Sequence, residues 1–347
     1  MVRKSIFAVA LLAVAFGAGL FGLSRKAPAI EPSPKAPVAE ETVEEYEWKG
    51  EKRKRTIRKV KLGGEEMEFV KVPKGSFLMG SPDSDKEAWA WEKPQHKVTF
   101  TKPLWVAKYP VTKGQFAAFA KSAKYDTDAE RDGKGGYGFE GPRGKWNVQN
   151  PKYTWKEVGW EQSERHPVVN VTWADTEAFC KWAVKDSKTP IRLLTEAEYE
   201  YANRGGETTL YFTGDKVESL EGYANVADES AKKKWDKGYG GSYGVKFDDG
   251  EPFTSKVGKY KPNGFGLHDT TGNVTSWCAD WMDGVKSLPR GDVTDPAPNS
   301  EGEHKRRCVR GGNWSESARL FASGCRGSWY PENRMHHTGF RVCFSQE

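Results

Sequence analysis

The sequence predicts an α+β fold that is irregular and rich in loops. Only three segments read as well-marked helices, and each opens on a Thr followed three residues later by an acid or amide. The rest reads as short strands between Gly, Asn and Asp turns. Aromatic content is 13%, with 14 Trp beside 37 Gly, so large rings must fill a core that short elements would leave open.

The elements follow in chain order. Arg3 and Lys4 precede an apolar stretch over residues 6–23, a charged region leading a hydrophobic one. Its 18 residues are long for a cleaved signal and barely enough to span a bilayer, so signal peptide and N-terminal membrane anchor both remain open over residues 1–26. Either reading places the protein outside the cytoplasm: periplasmic, extracellular or anchored. Residues 27–59, rich in Pro, Glu and Lys, read as a linker, and a single domain is expected over residues 60–347. That domain opens on a strand-like run, EMEFVKVPKGSFLMGS. The helices start at Thr112 (with Gln115), Thr172 (with Asp175) and Thr195 (with Glu198), the last stopping at Gly205-Gly206. Tyr125 to Arg165 reads as a surface insertion. Its GKGGYGFEG lacks the Lys-Ser/Thr ending of a phosphate loop.

Net charge is +6, but residues 1–60 hold 12 Lys/Arg against 7 Asp/Glu, so the domain is near neutral and no nucleic-acid partner is expected. The run KGEKRKRTIRKVK from Lys49 to Lys61 reads as a solvated linker ending in a strand. The alternative is a surface for a membrane or an acidic partner. Five cysteines, Cys180, Cys278, Cys308, Cys325 and Cys343, include no C-x-x-C pair.

Eight segments then match one family in order. They are FVKVPKGSFLMGS, LWVAKYPVTKGQFAAF, HPVVNVTWADTEAFCKWA, RLLTEAEYEYANRGG, YANVAD, NGFGLHDTTGNVTSWCADW, VRGGNW and TGFRVCF. Over roughly residues 62–344 the chain resembles the formylglycine-generating-enzyme (sulfatase-modifying factor) family. The resemblance implies an irregular, C-type-lectin-like fold. It also implies a copper ion held by two cysteines just after a GGSW-like motif, used to oxidise a sulfatase cysteine to formylglycine. Here the motif is Gly311-Gly312-Asn313-Trp314, and the two positions hold Glu316 and Phe321. Cu(I) is soft and prefers thiolates, so copper is not expected.

Family members also bind calcium, and the resemblance assigns a site to Asn225, Val226, Asp249 and Glu251. A second set would use Asp269, Gly272 and Val274, with Ser276 where the family has Glu. Cys180 and Cys343 lie near positions disulfide-bonded in some members, the second displaced by one residue. His336-His337 reads as a polar turn. The reading favoured by the sequence is an exported, non-catalytic member, a binding or structural module of the cell envelope. Its peptide or ligand groove would lie near Arg310, Asn313, Trp314 and Glu316, with no catalytic residue assigned. The alternatives are a formylglycine-generating-type oxidoreductase and a calcium-stabilised adhesion module.

Overall fold

Alternation of apolar and charged residues builds the largest of three sheets. The computed structural model describes residues 40–139, 149–234, 245–282 and 291–345. The apolar N-terminal stretch and the Pro-rich residues up to 39 lie outside the described residues. In chain order the strands are β1 (Glu41–Trp48), β2 (Glu51–Leu62), β3 (Glu65–Val72), β4 (Gly75–Met79), β5 (His96–Phe100), β6 (Leu104–Ala107) and β7 (Arg192–Leu193). They continue with β8 (Thr275–Trp281), β9 (Val293–Thr294), β10 (Arg307–Arg310), β11 (Gly327–Trp329), β12 (Thr338–Phe340) and β13 (Val342–Ser345). The helices are α1 (Lys113–Ala123), α2 (Asp128–Arg131), α3 (Trp173–Ser187), α4 (Glu196–Arg204) and α5 (Glu229–Lys234).

The strands form sheets in the orders β1-β2-β3-β6-β13-β7, β11-β10-β8-β12 and β4-β5-β9. The first sheet is covered on both faces, as period two requires. Met67, Phe69, Trp105 and Phe344 pack with Phe116 and Phe179, from α1 and α3, on one side. Ile57, Val70, Val106 and Cys343 pack with Tyr199 and Ala202 of α4 on the other. The one-residue displacement of Cys343 therefore acts as alternation demands. Val342 shares the first cluster with Cys180, while Cys343 faces the second. All five cysteines are free and buried.

The three capping boxes form as the sequence predicts. Thr112, Thr172 and Thr195 accept from the backbone of Gln115, Asp175 and Glu198, whose side chains reach back. A fourth box, Thr127 with Glu130, opens α2 inside the segment expected to be a surface insertion. That expectation needs correcting, because Tyr153, Trp155 and Val158 are buried and Trp155 packs edge-on against Phe116 at 5.3 Å.

The expected linker is corrected more sharply. Residues 41–59 are not a linker but most of an antiparallel hairpin, with Glu41 opposite Arg58 and Trp48 opposite Glu51. Acids on β1 meet bases on β2: Glu44 pairs with Arg55 at 3.0 Å and Glu41 with Arg58 at 2.7 Å. Trp48 is fully buried, its ring 5.8 Å from Phe212 and 5.5 Å from Tyr223, so the hairpin is stitched to the domain body.

Candidate functional site

The site region is held by one helix. All nine residues of α4 are buried, and Glu196, Glu200 and Arg204 recur every fourth residue, which stacks them on one face. Buried charges are tolerated only when paired. Glu196 receives Nε–H and one terminal N–H of Arg326, and Glu200 receives Arg310 and Arg204, the last at 2.7 Å. Burial alone would raise the Glu196 carboxyl, but Arg326 and then Arg310 more than offset it and hold it at about 2. The same groups fix loops: Gly80 N–H donates to Glu200 at 2.8 Å, and Arg326 donates to the Trp91 carbonyl at 2.9 Å.

Above this network lies a cavity of about 220 Å³, with Trp89, Thr275, Glu316, Cys325 and Trp329 in its wall. Trp89 is 37% exposed at the rim, its ring 5.1 Å from that of Trp91. The indole N–H of Trp329 finds no hydrogen-bond partner among the described residues. Burial pushes the Glu316 carboxyl up to about 7, with contacts from Asn313 offsetting part of the rise. The cavity therefore offers an acid poised near neutrality beside an unused N–H donor.

The groove expected from the sequence is only partly assembled here. Arg310 and Glu316 both border the cavity, but the Arg310 guanidinium is consumed by Glu200 and by the carbonyls of Ser323 and Gly324. Asn313 and Trp314 do not line the cavity. Asn313 donates to Thr275 Oγ1 at 3.0 Å, and Trp314 is fully buried, ring against ring with Trp160 and Phe253. His336 and His337 form the expected turn, just before β12, but both are buried. The contributions of Trp89 and Trp329 escaped sequence reasoning. Nothing local ties either to the Gly311-Gly312 turn, which the third dimension brings beside them.

The copper-ligand positions are occupied as the sequence reads. Phe321 is 1% exposed and closes over Gly312, where an added Cβ would lie 2.7 Å from its ring. Cys325 is the thiol on the cavity, and burial pushes it up to about 12. A thiol held neutral in this way is a poor ligand and nucleophile. Cys308 is buried beside Cys278, and burial raises it well above the ordinary range.

The first cation set comes together. Asn225 is buried with its Oδ1 unpartnered, while its Nδ2 donates to the Phe253 carbonyl at 2.8 Å. Asp249 accepts from Val226 N–H at 2.8 Å and from Glu251 N–H at 2.9 Å. Burial, and then the neighbouring Asp228 carboxylate, push Asp249 up to about 7. An orphaned amide oxygen and two crowded carboxylates are what a hard cation relieves, so these residues fit calcium. The second set fits less well. Asp269 is its one acid, Ser276 brings no charge, and Arg341 already donates to the Asp269 carbonyl at 2.9 Å. Gly272 belongs there for another reason: at φ +74° an added Cβ would lie 2.2 Å from the Asn225 carbonyl.

These features define a loop-rich α+β domain of the formylglycine-generating-enzyme type. The chain belongs to the sulfatase-modifying factor enzyme 1-like family, whose domain matches residues 54–345. It is 31% identical to a formylglycine-generating enzyme of Thermomonospora curvata over 298 residues, covering 79% of this chain and 92% of that one. It is 30% identical over 274 residues to a Mus musculus relative named inactive C-alpha-formylglycine-generating enzyme 2, covering 72% of this chain and 82% of that one. Among solved structures, PvdO from Pseudomonas aeruginosa superposes with a TM-score of 0.62 at 30% identity, covering 80% of this chain and 94% of that one. Treponema denticola variable protein 1 shares the fold at 20% identity and a TM-score of 0.60, covering 84% and 99%.

Glu316 makes stability pH-dependent. Its folded value of about 7 lies above the ordinary 4.5, so between these values the folded state holds a proton the unfolded state has released. Stability from this group is complete below the lower value and falls as pH rises through the higher one, by at most about 1.4 kcal/mol per pH unit. Denaturant unfolding at pH 5, 6 and 7 is expected to show a shallower decline for Glu316→Gln than for the parent. Parallel declines would contradict this.

Proposed function

We propose that this protein keeps the family scaffold as a ligand-binding module and does not convert cysteine to formylglycine through a copper–cysteine pair. One observation carries this reading: Glu316 and Phe321 stand where the thiolate pair is expected, and Phe321 is part of the hydrophobic core. Glu316 offers a hard oxygen and Phe321 an apolar ring, neither of which suits Cu(I). The remaining thiol at the cavity, Cys325, is kept protonated by burial. Relatives carrying active and inactive names both exist, so loss of this chemistry has precedent within the family. The bound species is a peptide or an envelope component, entering beside Trp89 with Glu316 as its polar anchor. The charged and apolar N-terminus supports an exported module, held to a membrane or released from it.

The same reading includes calcium at Asn225, Asp249 and the carbonyls of Val226 and Glu251. Its role is to order loops of the domain. At a hundredfold excess over its Kd the ion stabilises the folded state by about 2.7 kcal/mol.

Two measurements test these proposals. After aerobic incubation with a sulfatase-type cysteine peptide and Cu(I), mass spectrometry is expected to find unmodified peptide. Formylglycine formed by the parent and lost in a Cys308→Ser, Cys325→Ser variant would replace this reading with a relocated copper site. For calcium, a chelator is expected to lower the melting temperature of the parent but not that of Asp249→Asn. A parent melting curve that ignores the chelator would remove calcium from the account.

A further inference from the structure

The basic run of the N-terminal segment leaves part of its charge unpaired. Most of its side chains are neutralised: Arg55 by Glu44, Arg58 by Glu41 and Lys59 by Glu66 at 2.8 Å. Lys52, Lys54 and Lys61 make no ion pair among the described residues, and of these Lys54 lines a cavity. Glu45 lies opposite Lys54 on β1, yet the two make no ion pair among the described residues. The cavity, a second one of about 630 Å³, is remote in sequence from the Gly311-Gly312 turn. Five of the twelve residues lining it are Lys or Arg, and none is Asp or Glu. Lys74 and Lys102 join Lys54 as exposed cations without an ion pair among the described residues. Asp295 lies near enough to feel the charge of Lys102 but makes no ion pair with it among the described residues, and Thr101 donates to it from N–H at 2.9 Å and from its hydroxyl at 2.5 Å.

The walls are rigid and partly apolar. Tyr46 donates to the Gly264 carbonyl at 2.7 Å, and Arg55 donates to the Gly266 carbonyl at 2.6 Å. Asn263 fastens the same loop to α4 through the Ala202 carbonyl at 2.6 Å. The hairpin and the loop carrying Phe265 are thus locked together before any ligand arrives, which lowers the entropy cost of binding. Phe265, Tyr46, Pro73 and Pro103 supply rings and apolar surface between the cations. Unpaired lysines around a low-dielectric concavity attract anions, and they do so less as salt rises.

We propose that this cavity is a binding site for an organic oxyanion carrying two or more phosphate or sulfate groups. Lys54, Lys74 and Lys102 supply the charge, and Phe265 and Tyr46 take the ring or apolar portion. The site is independent of the cavity at Glu316, and neither proposal depends on the other. The ligand is either soluble or the headgroup of an anionic lipid, since both present the same chemistry.

Calorimetric titration of the full chain with inositol hexakisphosphate is one arm of the test. Co-sedimentation with phosphatidylcholine vesicles, with and without cardiolipin, whose headgroup carries two phosphates, is the other. The expected result is saturable binding in at least one arm, weakened by salt. Replacing all three lysines (Lys54→Gln, Lys74→Gln, Lys102→Gln) should weaken it about tenfold or more. The equally basic control Lys181→Gln, Lys185→Gln, Lys256→Gln should leave it unchanged. Binding in the first arm alone supports a soluble ligand, and binding in the second a lipid headgroup. No binding in either arm, or equal loss in both triple variants, overturns the site. Should the first triple variant melt early, Lys74→Gln alone, at an exposed position, gives the same comparison.

Discussion

The buried charge network on α4 is the constraint on which the rest of the structure depends. Glu196 and Glu200 lie 1% exposed or less in a region with few regular elements. A carboxylate in such a place is tolerated only if guanidinium groups meet it with good geometry. Arg204 comes from the same helix, Arg310 from the end of β10, and Arg326 from the segment leading into β11. Each arginine then spends its spare N–H groups on carbonyls: Gly80 for Arg204, Ser323 and Gly324 for Arg310, and Trp91 for Arg326. Four loop carbonyls and strand ends far apart in sequence are thereby fixed to one helix. A loop-rich domain lacks long sheet ladders to do this, and hydrogen bonds to charged groups are the strong substitute. The cavity at Glu316 is shaped by the same side chains, since Arg310 and Arg326 both border it.

What the sequence made legible follows from how local each signal is. The helix starts were readable because a capping box is complete within four residues, and Thr112, Thr172 and Thr195 each form one. The displacement of Cys343 to the opposite face from Val342 was readable because strand alternation has no freedom. The family fold was readable from eight ordered motifs. The hairpin of β1 and β2 was not. Its composition resembles a solvated linker, because Glu44 and Arg55 satisfy one another across strands and leave few apolar residues to mark it. Trp48 is the exception, and one ring in a charged stretch carries little weight until its neighbours Phe212 and Tyr223 are known. The burial of Tyr153 and Trp155 was hidden likewise, by the Gly and Lys residues around them.

The site shows the same division. Asn225 and Asp249 were assigned through the family resemblance, and in three dimensions they present an unpartnered amide oxygen and a carboxylate crowded by Asp228. Arg310 and Trp314 were assigned to a groove because they follow one another in a motif, yet the first is tied up by Glu200 and the second is core. Adjacency in a motif reports a turn and says little about which side chains face a ligand. Trp89 and Trp329 reach the cavity from segments that share no local pattern with that turn.

The α4 network is tested most directly by a double-mutant cycle on Glu196 and Arg326. Because each leaves the other buried without its main partner, Glu196→Met and Arg326→Met alone are each predicted to cost about 3–5 kcal/mol of unfolding free energy. The double variant is predicted to recover a large part of that loss, since it leaves no lone charge behind. Single variants costing under about 1 kcal/mol, or a double variant equal to their sum, would show that the two side chains are not coupled and would contradict the account.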